Sequence, residues 1–276
     1  MAEAELNVPT TPTASGTRRE VPQATEPGTR RTIQRKSLQA RITHGVTVVL
    51  CIYLIISGLF VFIPALAAAA GPTVMTAIRM SHRVVGVCFV VVPLVSAVIA
   101  PKGVAHIARN LFHRWNDDDR TWLSRFVPYM LNVKRVHMPD QDEVKSGQRV
   151  ADGAIWLCCL MMAVSGVALL LGDTVVPLSN TAMGWWRIVH DVFFVLLDIF
   201  AIAHIYLGAG IFQPYRGTAR IMWKDGKVTE SSALYHWGKY ARRELTEGVN
   251  VDVERIPEKE LERMRRQAAK TEGSAR

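Results

Sequence analysis

The chain is short of cysteine: four among 276 residues, at Cys51, Cys88, Cys158 and Cys159. None belongs to a Cys-x-x-Cys-His motif, which excludes thioether-attached haem, and none has iron–sulfur or zinc spacing. All four fall in apolar runs and read as small buried hydrophobes. Large apolar residues are almost missing from residues 1–36, so that stretch is expected to be a disordered tail. Its Arg30-Arg31 pair is not taken as a twin-arginine signal, because the first apolar run begins well beyond it and is too long for a signal segment. Also missing is the fine interleaving of apolar and charged residues that a soluble domain shows.

What is present is segregation. Hydrophobic residues make up 49% of the chain, yet the formal charge is +9. The apolar residues gather in four runs, about 42–63, 80–100, 150–171 and 185–211, each long enough to cross a hydrocarbon core of about 30 Å. Pro64, Pro101, Gly172-Asp173 and Pro214 close them, and Pro93 is a candidate kink. Residues 65–78 read as an outside loop. The expected fold is an all-α integral membrane four-helix bundle over 37–212, between the tail 1–36 and an extension 213–276 that ends in a charged helix from about Glu254.

Lys and Arg orient the bundle. The connection between the second and third runs carries nine: Lys102, Arg109, Arg114, Arg120, Arg125, Lys134, Arg135, Lys145 and Arg149. The connection between the first two runs carries only Arg79, and the outer end where the last two runs join carries only Arg187. Both termini and the long connection are therefore expected on the cytoplasmic side of the inner membrane. A basic juxtamembrane face suits anionic lipid, so the net charge calls for no nucleic acid. The segment ARNLFHRW suits the membrane surface, and the acids at 117–119 mark a solvated side.

Four of eight histidines lie in the spans: His44, His82, His190 and His204; His106, His113, His137 and His236 lie in loops or the extension. Ionisable groups at membrane depth point to function. His204 follows His190 by 14 residues, which is about 21 Å along a helix and within about 40° of the same face. Helix direction puts His44 and His204 at the cytoplasmic level, and His82 and His190 at the outer level. Two such pairs across a bundle suit two bis-histidine b-type haems. Gly58 shares the face of His44 at the outer level and either leaves room for a porphyrin or packs closely against a helix. Gly86, one turn from His82, carries the same two readings. A different reading of the histidines is a non-redox ion or metal pathway.

These stretches resemble a known family. RITHGVTVVLCIYLIISGLFVFIP, RMSHRVVGVCFV and IVHDVFFVLLDIFAIAHIYLGAGIF, with SGQRV at 146–150 and the later GTARIMWKDGKV, are similar to the di-haem cytochrome b (gamma) subunit of respiratory formate dehydrogenases. The likeness covers roughly 40–245. The histidine set is shared with cytochrome b subunits of hydrogenases and thiosulfate reductases. The resemblance implies a periplasmic catalytic subunit, an iron–sulfur subunit feeding the outer haem, and an inner haem reducing a quinone (menaquinone or ubiquinone) from the membrane pool. It places the quinone beside Gly147 and Gln148, where Gln148 is either a quinone contact or a helix-start residue. Lys145 departs from the family, which tends to have Asn there. Asp191 and Asp198 are candidates for a proton path or for orienting a histidine, and Arg79, Arg83 and Arg187 for pairing with haem propionates or lipid phosphate.

Overall fold

A computed structural model describes residues 21–132, 135–211 and 215–274. Four helices are long and apolar enough to cross a membrane: α1 (Leu38–Phe62), α2 (Pro64–Ile99), α5 (Ser146–Thr174) and α6 (Asn180–Gly208). Their most apolar stretches are only 0–11% buried inside the protein. Helices apolar on every face, with Val98 and Ile202 among many exposed side chains, need lipid and not water around them. Ser37 caps α1 by accepting from the Ala40 amide, and Ser179 caps α6 by accepting from that of Ala182. Helix α1 packs chiefly on α2 and α5 on α6, giving two hairpins that meet through α2 and α5.

Residues 65–78 are not a loop. They are helical except at Gly71, whose φ of 77° breaks α2 into two segments. Alanine has the highest helix propensity, so the Ala-rich stretch is helical although only weakly apolar, and Pro72 opens the second segment, where a missing amide costs nothing. Pro214 lies outside the described residues. Only Cys158 of the four cysteines is buried, and Cys88 is exposed on its span. A hydrophobic residue needs no protein cover where lipid takes its place.

The tail reading fails at β1 (Thr29–Gln34). This strand is the centre of a three-stranded antiparallel sheet, between β2 (Lys227–Thr229) and β3 (Val251–Arg255), with Ile33 opposite Val228 and Val251. Short helices α7 (Arg220–Trp223), α8 (Glu230–His236) and α9 (Gly238–Glu247) surround the sheet, and a charged α10 (Glu258–Ser274) follows. Ile33, Val228, Ala233, Trp237, Tyr240, Ala241 and Val251 form the core of this cap. Arg30 bonds Glu254 at 2.8 Å, and Arg31 bonds Glu230 at 2.8 Å through Nε, so the arginine pair anchors the sheet. Gly226, at φ 82°, turns into β2 where an added Cβ would lie 2.2 Å from the Lys36 carbonyl oxygen. Because β1 precedes α1 and β2 follows α6, the segments flanking the bundle meet on one face.

The connection between the hairpins joins the same face. It contains α3 (Pro101–Leu111) and α4 (Asp117–Leu131). Asn116 and Asp119 form a reciprocal capping box at the start of α4. Asp119 is not a solvated acid: it is 6% exposed, accepts from the Ser146 hydroxyl at 2.6 Å and pairs with Arg149 at 3.4 Å, and these donors hold its carboxyl below the usual range against the cost of burial. It thus ties α4 to the start of α5. Arg243 pairs with Asp142 at 3.0 Å, and Arg35 donates to the Glu143 carbonyl at 2.8 Å, fastening the connection to the cap.

Candidate functional site

The four span histidines come together as two pairs. Helix α1 carries His44 and α6 carries His204, with ring centroids 6.3 Å apart. Helix α2 carries His82 and α6 carries His190, with centroids 6.5 Å apart. One helix thus serves both pairs, with its two rings 14 residues and about 21 Å apart. Neither pair is in direct ring contact. Two metal–imidazole bonds of about 2 Å, plus about 1 Å from each nitrogen to its ring centre, span about 6 Å. The gap in each pair fits one metal atom held between two imidazoles.

No group of three or more His, Cys, Asp or Glu side chains fit to hold a metal exists among the described residues. Two opposed ligands suit a metal whose remaining positions are filled by a planar macrocycle. The surroundings suit such a group. His204 is exposed on an apolar span, while His44, His82 and His190 are half-buried. Nδ1 of His44 is buried and unbonded among the described residues. Gly86 has open space where a side chain would be. Gly58 lies at the level of the His82 ring, where an added Cβ would be 3.4 Å from Phe194 and 3.7 Å from Cε1 of His82. Trp223, from α7, packs edge-on to His44 at 5.5 Å and closes that end of the site.

Two serines orient the outer rings. Ser57 Oγ lies 2.8 Å from Nδ1 of His82, and Ser165 Oγ 2.8 Å from Nδ1 of His190. Sequence reasoning passed over both and looked to aspartates instead. Neither Asp191 nor Asp198 bonds a histidine: Asp191 is exposed, and Asp198 has one buried carboxylate oxygen without a partner among the described residues. The overlooked signal was a repeat, Ser-Gly placed 25 residues before a span histidine in both hairpins.

A side chain on Gly147 would collide with Trp122 at 2.2 Å, so close packing accounts for this glycine. Gln148 is exposed and donates to Asp152 at 3.3 Å, and Asp152 lies within electrostatic range of His204. Asp152, one turn beyond Gln148, was another omission. Lys145 is buried against Tyr215, with Nζ 4.1 Å from its ring centre and 3.4 Å from Nδ1 of His236. Burial, and next the charge of Arg35, pulls its ammonium down to about 7. Arg83 pairs with Asp173 at 2.8 Å, while Arg79 and Arg187 are exposed.

A comparison with curated proteins returned no match. A family model does match, over residues 35–225, which contain all four spans and both histidine pairs. Members of that family carry b-type haem in a helical membrane domain and transfer electrons. With four apolar helices and two opposed imidazole pairs in place, the chain is a multi-pass membrane b-type cytochrome, and it belongs to the prokaryotic cytochrome b561 family.

Proposed function

We propose that this chain is the di-haem membrane subunit of a respiratory oxidoreductase in the inner membrane, with both termini cytoplasmic. It accepts electrons from an iron–sulfur subunit at the His82–His190 level and delivers them at the His44–His204 level to a quinone. The observation that carries this reading is the pair of centroid separations, 6.3 and 6.5 Å, at two depths on one stripe of α6. Each haem, when bound, supplies a one-electron couple at its iron. His44 and His204 would hold the inner one, and His82 and His190 the outer one. Gly58 and Gly86 keep side chains away from the outer level, and Trp223 covers the inner one.

The distribution of Lys and Arg supports the orientation. Gln148 and Asp152 offer a polar pair at the His204 level, suited to a quinone oxygen and its proton. The stretches around Gln148 and 217–228 favour a formate dehydrogenase as the catalytic partner. The test is a visible spectrum followed by a haem count. Dithionite-reduced purified protein is expected to show a sharp haem b α-band, with two haems per chain by pyridine haemochrome. One haem per chain at full occupancy would break the pairing, and no α-band would favour an ion pathway. Co-purification is expected to bring down a formate-oxidising partner, and recovery of a hydrogenase would reassign the complex.

A further inference from the structure

The outer pair is built by a device used twice. Ser57 of α1 and Ser165 of α5 are 5% and 0% exposed, and each faces Nδ1 of a histidine 25 residues later at 2.8 Å. Each serine is followed by glycine, and a Cβ added to Gly58 or Gly166 would stand 3.7 or 3.5 Å from Cε1 of the same histidine ring. The two hairpins therefore present their rings in the same way.

The hydroxyl hydrogens are already committed. Ser57 donates to the Tyr53 carbonyl at 2.8 Å, and Ser165 to the Met161 carbonyl at 2.6 Å, the i−4 back-bond of a serine within a helix. The lone pairs that remain face Nδ1, so Nδ1–H of His82 and of His190 must donate to them. Each ring then carries its free lone pair on Nε2. His44, in the inner pair, lacks the device: among the described residues its Nδ1 is buried without a partner.

We infer that Ser57 and Ser165 are positioning residues that lock His82 and His190 in the Nε2-ligating tautomer and hold down the reduction potential of the outer haem. An acceptor on the far nitrogen makes an imidazole a stronger donor to metal, which favours the oxidised iron. The inference rests on the two-haem reading above.

The test is a potentiometric titration of the purified full chain followed at the α-band, with the outer component identified by its loss in His82→Ala. Ser57→Ala and Ser165→Ala are each expected to raise the outer midpoint. The expected size is a threefold to tenfold change in the reduced-to-oxidised ratio, where tenfold is ~59 mV for a one-electron couple. The inner midpoint should stay fixed, and Ser57→Thr, which keeps the hydroxyl and its back-bond, should restore the wild-type value. Two components with an outer midpoint unmoved by either alanine would overturn the inference and leave the two-haem reading standing. One haem per wild-type chain by pyridine haemochrome would overturn both. Should Ser57→Ala lose the outer haem, Ser57→Thr decides. Retention at the wild-type potential supports the inference, and loss there too reduces the serine to packing and overturns it.

Discussion

Gly58 stands against the ring of His82 so closely that a methyl group on its Cα would lie 3.7 Å from Cε1, and 3.4 Å from the Phe194 ring. Those distances are ordinary contact, so Gly58→Ala is expected to keep the outer haem. A larger side chain must displace either the histidine or Phe194, which is itself 8% exposed and has little room to move. Gly58→Leu is therefore expected to lose the outer haem while the inner one persists. Haem content and the split of the α-band in the two variants measure this. Equal haem content in both would show that the space beside Gly58 serves nothing at that level.

The pairs were legible because their signal is one-dimensional. Span boundaries follow from blocks of apolar residues, and a 14-residue spacing on one helix fixes two depths. The strand β1 was not legible. It has one large apolar residue in six, Ile33, and its partners Val228 and Val251 are about 200 residues away. Its pairing is a fact of tertiary structure and leaves no local pattern. Ser57 and Ser165 were hidden for another reason: a serine in a span reads as a helix-packing residue, and only the ring opposite it gives it a task. Asp119 was misread because it shares a run with Asp117, which is exposed, and Asp118, which is half-exposed and pairs with Lys239, while it is itself fixed by a cap and by Ser146.

Ile33 is fully buried among Val228, Ala233, Trp237 and Val251. Ile33→Ala is expected to destabilise the cap by about 2–5 kcal/mol, the usual cost of emptying an enclosed aliphatic site. Proteolysis should then cut within 215–255 faster than in the wild type. The outer haem, held wholly by spans, should keep its spectrum. Unchanged proteolysis would mean that the sheet contributes little to holding the cap.

Lys145 gives the cap a pH dependence of definite sign. Its ammonium is pulled down to about 7 by burial, from an ordinary 10.5. Between those values the unfolded chain binds the extra proton and the folded chain does not, so stability rises with pH across that window. Below about 7 the folded chain must carry the buried charge, and the penalty is complete. Lys145→Met removes the group. The melting temperature of the variant should exceed that of the wild type most at pH 6, and the gap should narrow by pH 9. A gap that does not change with pH would show that the ammonium is not desolvated.

The two histidine pairs act in series in the proposed route, and that makes their loss asymmetric. His82→Ala removes one ligand from the outer haem, and His44→Ala one from the inner. Both variants keep the other pair intact, because His190 and His204 are on separate turns of α6 and each faces a different helix. In the complex with its catalytic partner, His82→Ala should stop electrons from substrate before they reach the inner haem. Added quinol should still reduce that haem from its own side. In His44→Ala, substrate should still reduce the outer haem, while quinone reduction stops. Two rapid-scanning experiments on each variant, one started with substrate and one with quinol, give four traces to compare. The expected order needs only that the His44–His204 end, beside the cap and Trp223, faces the quinone, and that the other end faces the donor. Were His44→Ala instead to block outer-haem reduction by substrate and leave quinol access intact, the donor would dock at the cap end. The bundle would then be inverted relative to the distribution of its lysines and arginines.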